Sequence, residues 1–433
     1  MYCVSAVSAI QAEGASGIAP AFGLPPEIVA IRDEARDFAV HLLRPRAAEL
    51  EWERDPRARV AWDLVEEADR RGWRTFGLPP EDGGRGASAL ALAVLVEEIA
   101  YGDMGFAVLI DQCLKVQRIL ARYAKGRARE LFLDRFVRDP RCVLAICFTE
   151  PETGSDYIID ATPFCFRTRA EQRSDGSWIL NGYKHFISNG ADAGLYCVFA
   201  CTAPAKPAAQ GTSAFLVTRE DPGLEVVKIH EKISQRGNNN GALQFTDVVL
   251  DPDRMLGEPH LGYAGSREIL KESAITAGAT TLGTARAAYE LAVEHARARV
   301  QGGAPIVEHA NVGCRLADMY AELEAARSLV WRAAWAVEND PAYDYKLGSA
   351  AKLVAAETAM RTCLSAAELF GGLAIMYEDA AVNKCVRDCM SFLHSDGAQD
   401  AHRLRIAHML KEDSTIASDG GATRASAAPQ GNA

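Results

Sequence analysis

The segment from Cys147 to Gly190 opens on CFTEPETGSD and closes on NGYKHFISNG, and both ends hold residue types suited to gripping a ligand. Thr149, Glu150, Pro151, Gly154, Ser155 and Asp156 follow directly on Val143-Leu144-Ala145-Ile146, an apolar run that reads as a buried strand. A turn of this composition offers backbone N–H groups, which Gly154 lets a ligand approach closely, and the adjustable hydroxyls of Thr149 and Ser155. Such donors suit a polar, partly anionic, planar ligand. Read alone, TEPETGSD also has the composition of an ordinary β-turn. The second half shifts the balance, because Trp178 to Gly190 reads as a strand, an Asn181-Gly182 turn, a strand and an Asn189-Gly190 turn. Phe186 and Ser188, two apart on the second strand, would face one side, an aromatic plane beside a hydroxyl that could wall a flavin ring.

At 433 residues the chain needs two or three domains or layers to hold these residues, and 48% hydrophobic content marks a globular protein. A formal net charge of −11 argues against nucleic acid as the main partner, while leaving room for a local basic patch on one phosphorylated cofactor. Eleven cysteines without a CxxC pair support neither a disulfide framework nor a zinc knuckle. They read as buried thiols of a reducing, cytoplasmic compartment. No apolar run is long enough to span a bilayer.

The expected architecture is α+β and multidomain. Residues 1–24 read as a disordered leader and 25–140 as a helical domain. In it Ile28, Ile31, Ala35, Phe38, Ala39 and Leu42 mark a first helix that Pro45 stops. Further helices are expected at Trp62–Arg71, Ser88–Tyr101, Ala107–Tyr123 and Ala128–Val137. Residues 141–257 alternate short β-rich runs with turns and read as a β-barrel or sandwich. Residues 258–412 carry long alanine-rich periodic runs, Ser266–Arg299, Pro305–Val337, Tyr345–Phe370 and Ala380–His394, which suit a four-helix bundle. Residues 413–433 read as an unstructured tail.

The paired segments resemble the signatures TEPxxGSD and NGxKxxITNG of the acyl-coenzyme A dehydrogenase family, with Ser188 in place of the Thr. A further family pattern, GxxxxxLxFxDVxVP followed by LG, is echoed by Gly237, Leu243, Phe245, Asp247, Val248, Leu256 and Gly257, with Asp251 where the family has Pro. The family's RxQFGxPI is matched by Arg299, Gln301, Gly303, Pro305 and Ile306, with Gly302 in place of Phe and a helix expected from near Pro305. Its QxxGG is matched by Glu368, Gly371 and Gly372, with Glu replacing Gln. The resemblance spans roughly Pro25 to Leu410. It implies FAD held by Ile146, Thr149, Gly154, Ser155, Phe186, Ser188, Arg299, Gln301, Glu368, Gly371 and Gly372, with Arg299 on the diphosphate and the last five serving a neighbouring subunit's cofactor. Composition and spacing show no FAD by themselves. A carboxylate at 368 near a diphosphate would be repulsive unless turned away or paired.

After Arg387-Asp388, which match the family's RD, relatives run without a gap into YEGT, whose Glu is the catalytic base. The same count here ends on Ser395-Asp396-Gly397-Ala398. Asp396 therefore takes the base position, one methylene shorter, in what would otherwise be an Asp-Gly turn. Removing a proton beside a thioester needs a carboxylate in an apolar, water-poor pocket, where lost hydration makes it a stronger base. Ser155, Glu272, Ser273 and Gly397 are implied on the substrate side; some relatives carry their base on the first long helix of the bundle, within a residue of Glu272, though Ser273 fits that register better, and His394 could orient Asp396 or stabilise an oxyanion. Ala274 and Ala398 replace an Arg and a flavin-contacting Thr found in relatives. The implied activity is FAD-dependent α,β-dehydrogenation of an acyl-coenzyme A or acyl-carrier-protein thioester by a homotetramer, reoxidised by an electron-transferring flavoprotein. The shorter base leaves room for a cyclic or branched acyl group. A flavin monooxygenase of the same fold and a non-catalytic thioester-binding homologue are the rival readings.

Overall fold

The computed structural model describes residues 24–159, 164–376 and 381–421. The expected leader, apart from its last residue, and the end of the expected tail lie outside them. Helix α1 (Pro26–Phe38) buries Ile28, Ile31, Ala35 and Phe38 on one stripe. Pro45 does not end it. A widened π turn, Ala39–Leu43, leads into α2 (Arg44–Leu50), with Pro45 in its first turn, where a missing N–H costs little. Helices α3 (Trp62–Arg70), α4 (Ala89–Gly102), α5 (Met104–Tyr123) and α6 (Gly126–Leu131) follow. Ser88 caps α4 by accepting from Ala91 N, and Asp103 caps α5 by accepting from Phe106 N. Helix α4 is buried on every side, and its Glu97 and Glu98 are met by the guanidinium groups of Arg286, Arg327 and Arg36.

The chain then turns to strand. β1 (Leu144–Cys147), β2 (Arg169–Gln172), β3 (Trp178–Ile187), β4 (Leu195–Cys201), the short α7 (Ala208–Gly211), β5 (Thr212–Thr218), β6 (Leu224–Ile229), β7 (Gly241–Leu250) and β8 (Met255–Leu256) build one mixed sheet. Its order is β6-β7-β3-β2-β4-β5-β8, with β1 parallel to β4. Strands β4 and β5 are buried on both faces. Tyr196, Val198, Phe215 and Val217 face a core inside the sheet, while Leu195, Cys197, Phe199 and Leu216 pack in the cluster shared with the helices.

The expected turn at Asn181-Gly182 is absent. Both residues lie inside the ten-residue β3, and Gly182 is needed there because a Cβ would come within 2.5 Å of Thr168 Cα. The register of β3 on β7 shifts between Lys184 and Ile187, and Phe186 adopts φ 55° in that bulge. The simple alternation that would put Phe186 and Ser188 on one face therefore does not hold. Phe186 is exposed and Ser188 half-buried.

Helices resume at α8 (Gly262–Ile269). One tight turn, Leu270–Glu272, separates it from α9 (Ser273–Ala298), so the single helix expected from Ser266 to Arg299 is two. Nor does a helix begin near Pro305. β9 (Val300–Gln301) and β10 (Ala304–Pro305) form a small hairpin whose turn residues Gly302 and Gly303 take φ 66° and 90°, and α10 (Ala310–Asn339) starts after a further 3-10 turn. Helix α11 (Tyr345–Phe370) has the expected bounds, capped by Asp344 and ended at Gly371 with φ 60°. α12 (Val382–Ser391) and α13 (Gln399–Gly421) pack on α11, which itself packs on α9 and α10. Helix α13 was not among the expected runs and continues past Glu412 into the segment read as an unstructured tail.

Among the described residues no helix is long and apolar enough to cross a membrane, no side-chain cluster could hold a metal ion, and all ten cysteines are free. Cys314 is exposed and Cys165 half-buried, against the expectation of uniformly buried thiols.

Candidate active site

The turn after β1 and strand β3 are joined by a buried ion pair. Lys184 Nζ lies 2.8 Å from Glu150 Oε1 and donates to Phe148 O at 3.0 Å, with neither side chain more than 1% exposed. Glu150 also accepts from Arg167 N at 2.6 Å and Thr168 N at 3.0 Å. Asn189, at φ 59° in the turn that closes the segment, donates to Leu109 O and Leu144 O, tying α5 to β1. Residues of both paired segments thus hold the turn in place. Thr149 O accepts from His185 N at 2.9 Å, and Gly154 N donates to Asp156 Oδ2 at 2.9 Å. A Cβ on Gly154 would meet nothing within 4 Å, so the turn opens onto free space.

Ser155 links this turn to the loop between α12 and α13, where Ala398 N donates to Ser155 Oγ at 3.0 Å. In that loop Asp396 takes φ 50° and Gly397 φ 86°, left-handed conformations that short polar residues and glycine tolerate best. Lys352 on α11 donates to Phe392 O at 2.8 Å, Gly397 O at 2.7 Å and Gln399 Oε1 at 2.7 Å. Burial brings Lys352 down to about 8. His402 Nε2 donates to Asp396 O at 2.9 Å, and its Nδ1 accepts from Ser349 Oγ at 3.2 Å. His394 is exposed, and the histidine that contacts this loop at Asp396 is His402, through the backbone carbonyl.

The Asp396 carboxylate does not sit in an apolar pocket. Its Oδ1 lies 3.2 Å from Lys115 Nζ, which is 2.6 Å from Asp111 Oδ2. Burial by itself would lower Lys115, but the two carboxylates outweigh it and hold the ammonium above the usual lysine value. Burial pushes Asp111 upward, with Lys115 opposing. Asp396 lines a cleft of about 750 Å³ with Gln112, Lys115, Phe148, Tyr263, Arg267 and Arg405, and also with Ile146, Lys271, Ser273, Ala274 and His402. Gln112 Oε1 is buried and, among the described residues, accepts no hydrogen bond, leaving an acceptor for a ligand. Glu272 faces Arg118 as an ion pair instead, while Ser273 lines the cleft.

Three family models match the chain in order: acyl-CoA dehydrogenase N-terminal domain over residues 25–139, middle domain over 145–248 and C-terminal domain over 261–411. A cyclohex-1-ene-1-carbonyl-CoA dehydrogenase of Geobacter metallireducens is 32% identical over 356 residues, 82% of this chain and 90% of that one. The chain belongs to the acyl-CoA dehydrogenase family. By class this dehydrogenase is a flavin oxidoreductase. Butyryl-CoA dehydrogenase from Megasphaera elsdenii superposes with a TM-score of 0.82 at 29% identity, covering 90% of this chain and 99% of that one. PigA with FAD and proline superposes at 0.80 and 26% identity, with the same coverage.

A second groove of this dehydrogenase gathers the two motifs expected to serve a neighbouring subunit. Gln301, Gly302, Ile306, Arg315, Glu368 and Leu369 line it, so the hairpin before α10 and the end of α11 meet. Arg299 is exposed beside them and donates to Gln301 Oε1 at 3.4 Å. Glu368 is paired with Arg315, which answers the repulsion a bare carboxylate would bring. Around Gly371 and Gly372 a Cβ would meet nothing within 4 Å.

Lys115, Asp111, Lys352 and His402 were not found from sequence. A signal did exist for the first two. They form an i,i+4 charged pair within a helix whose residues are buried without a break from Met104 to Gln117.

The neutral imidazole of His402 carries a consequence for acid stability. Burial lowers His402 from 6.5 to about 4, so between those values the unfolded chain binds a proton that the native chain does not. The stabilisation is complete above about 6.5 and lost as pH falls through about 4, amounting to at most about 3 kcal/mol. Thermal unfolding followed from pH 7 to pH 4 should show this decline, and His402→Gln should flatten it.

Proposed function

We propose that this dehydrogenase uses FAD to introduce an α,β double bond into an acyl thioester, with Asp396 taking the α-proton. The observation that carries the reading is Asp396, which lines the cleft on a loop fastened from three sides by Ser155, Lys352 and His402. The residues present fit FAD. Gly154 opens onto space that a side chain would fill, and Phe186, 56% exposed although the rings of His185 and His230 lie against it, offers an aromatic surface at the end of β3. Ile146, Thr149, Gly154, Ser155, Phe186 and Ser188 would hold the cofactor, and Arg299, Gln301, Glu368, Gly371 and Gly372 would reach that of a neighbouring subunit in a homotetramer. Bound FAD would supply the acceptor for the β-hydride.

Within the chain, the cleft orients the thioester, Ser273 and the backbone of Gly397 flank the acyl end, and Asp396 receives the proton while the surrounding helices limit water. Arg267, Lys271 and Arg405 at the cleft suit a carrier bearing phosphate, as coenzyme A and a carrier-protein arm both do. A cyclic or branched acyl group fits the shorter base, in keeping with the substrate named for the Geobacter relative. An electron-transferring flavoprotein would reoxidise the cofactor in the cytoplasm.

The test is spectroscopic. Purified protein should take up FAD and lose its flavin absorbance anaerobically on mixing with cyclic or branched acyl-coenzyme A, without added reductant. No uptake of FAD, or no bleaching by any straight, branched or cyclic thioester, would overturn the proposal.

A further inference from the structure

The hydrogen bonds that fasten the Asp396 loop all act on backbone atoms: His402 on the carbonyl of Asp396, Lys352 on that of Gly397 and Ser155 on the N–H of Ala398. They set the loop but leave the carboxylate free to turn about its own bonds. Among the described residues, the contact recorded on the carboxylate oxygens is Lys115 Nζ, 3.2 Å from Oδ1. Lys115 comes from the middle of α5, is 7% exposed, and sits nearer to Asp111 than to Asp396.

We propose that Lys115 is the positioning residue of the proton-transfer step, holding the shorter carboxylate of Asp396 from the α5 side, with Asp111 as the counter-charge that keeps the ammonium in place afterwards. The inference rests on the reading of Asp396 as base. A buried ammonium needs charged partners, and removing its last one is costly. Two carboxylates around one ammonium give the group a net charge of −1. When the α C–H bond of the thioester breaks, its proton forms an O–H bond with Asp396 and its electron pair enters the new C=C bond, and bound FAD would supply the acceptor for the β-hydride. The group then carries no net charge. Lys115 keeps Asp111 at 2.6 Å, so no buried charge is stranded at the moment of transfer. The unequal distances match that sequence, the looser contact belonging to the carboxylate that must give up its charge.

Among the described residues, the charged and titratable groups around Asp396 are Lys115 and Asp111 from α5, Lys352 from α11, His402 and Arg405 from α13, Tyr263 and Arg267 from α8 and Lys271 from the turn after it. Replacing Lys115 removes the nearest cation and leaves the rest. Replacing Asp111 removes the nearest anion.

The experiment reads proton transfer without dehydrogenation. In deuterated buffer, the holoenzyme is mixed with a 3-oxa-acyl-coenzyme A, which has no β-hydride to lose, and exchange of its α-hydrogens is followed by mass spectrometry across pH. Asp396→Asn should abolish exchange; if it does not, the base reading itself fails, independently of Lys115. With exchange shown to need Asp396, Lys115→Met should move the acid limb of the rate profile up by about one to two pH units, the usual effect of an opposite charge on a carboxylate. Lys115→Arg should bring it most of the way back, and Asp111→Asn should move it the other way. A lower rate with the acid limb unmoved in both Lys115→Met and Asp111→Asn would show a merely structural link and overturn the proposal. Should Lys115→Met fail to fold, Asp111→Asn alone decides it by the direction of its shift.

Discussion

Asp396→Asn should lower turnover of an acyl thioester about a hundred- to ten-thousand-fold, the range expected for losing a general base, while FAD remains bound. Asparagine is the informative replacement because position 396 sits at φ 50°, where asparagine and aspartate are the residues least strained after glycine. The anchors on the loop act on backbone atoms and survive the change. Lys115 loses one partner but retains Asp111. A large drop in rate with an unchanged flavin spectrum and an unchanged melting temperature would therefore report chemistry. Near-normal dehydrogenation would remove Asp396 from the mechanism.

Lys184→Met should destabilise the protein by about 3–5 kcal/mol, the usual cost of stranding one partner of a buried ion pair. The two members are unequally satisfied. Burial alone would raise Glu150, but Lys184, Thr168 and the Arg167 N–H hold its carboxyl below the usual range. Burial holds Lys184 below the usual lysine value despite Glu150. Glu150 is thus the firmly charged member, and removing the ammonium leaves that charge with two backbone donors at 0–1% side-chain exposure. Denaturant unfolding of the variant gives the loss, and Glu150→Gln in the same background should recover part of it. Because the pair clamps the Thr149–Asp156 turn to β3, FAD affinity should fall with stability. Full stability in the single variant would contradict the account.

The order of elements was legible in the sequence. Ile28, Ile31, Ala35 and Phe38 announce α1 by their spacing, and α11 runs from Tyr345 to Phe370 as its periodicity requires. Local rules failed where packing overrode them. Pro45 reads as a stop, yet a widened turn absorbs it, and Asn181-Gly182 reads as a hairpin turn, yet the glycine serves close approach to Thr168 inside β3. Helix α13 was missed, and with it His402, whose neighbours 349 and 396 belong to a different helix and to the preceding loop.

By itself the chain's sequence determined the helical–β–helical order; the paired motifs and the carboxylate at the family's base position came from it as expectations. Periodicity and turn chemistry report which face of each element is buried, and short motifs report backbone shape. Neither says which elements will meet. Lys115 and Asp396 stand 281 residues apart, and whether that carboxylate faces hydrocarbon or an ammonium was decided only when α5 packed beside the loop before α13. The same holds for Glu368 and Arg315, on different helices. A buried charge is stable only with its partner, and partners are chosen by tertiary packing.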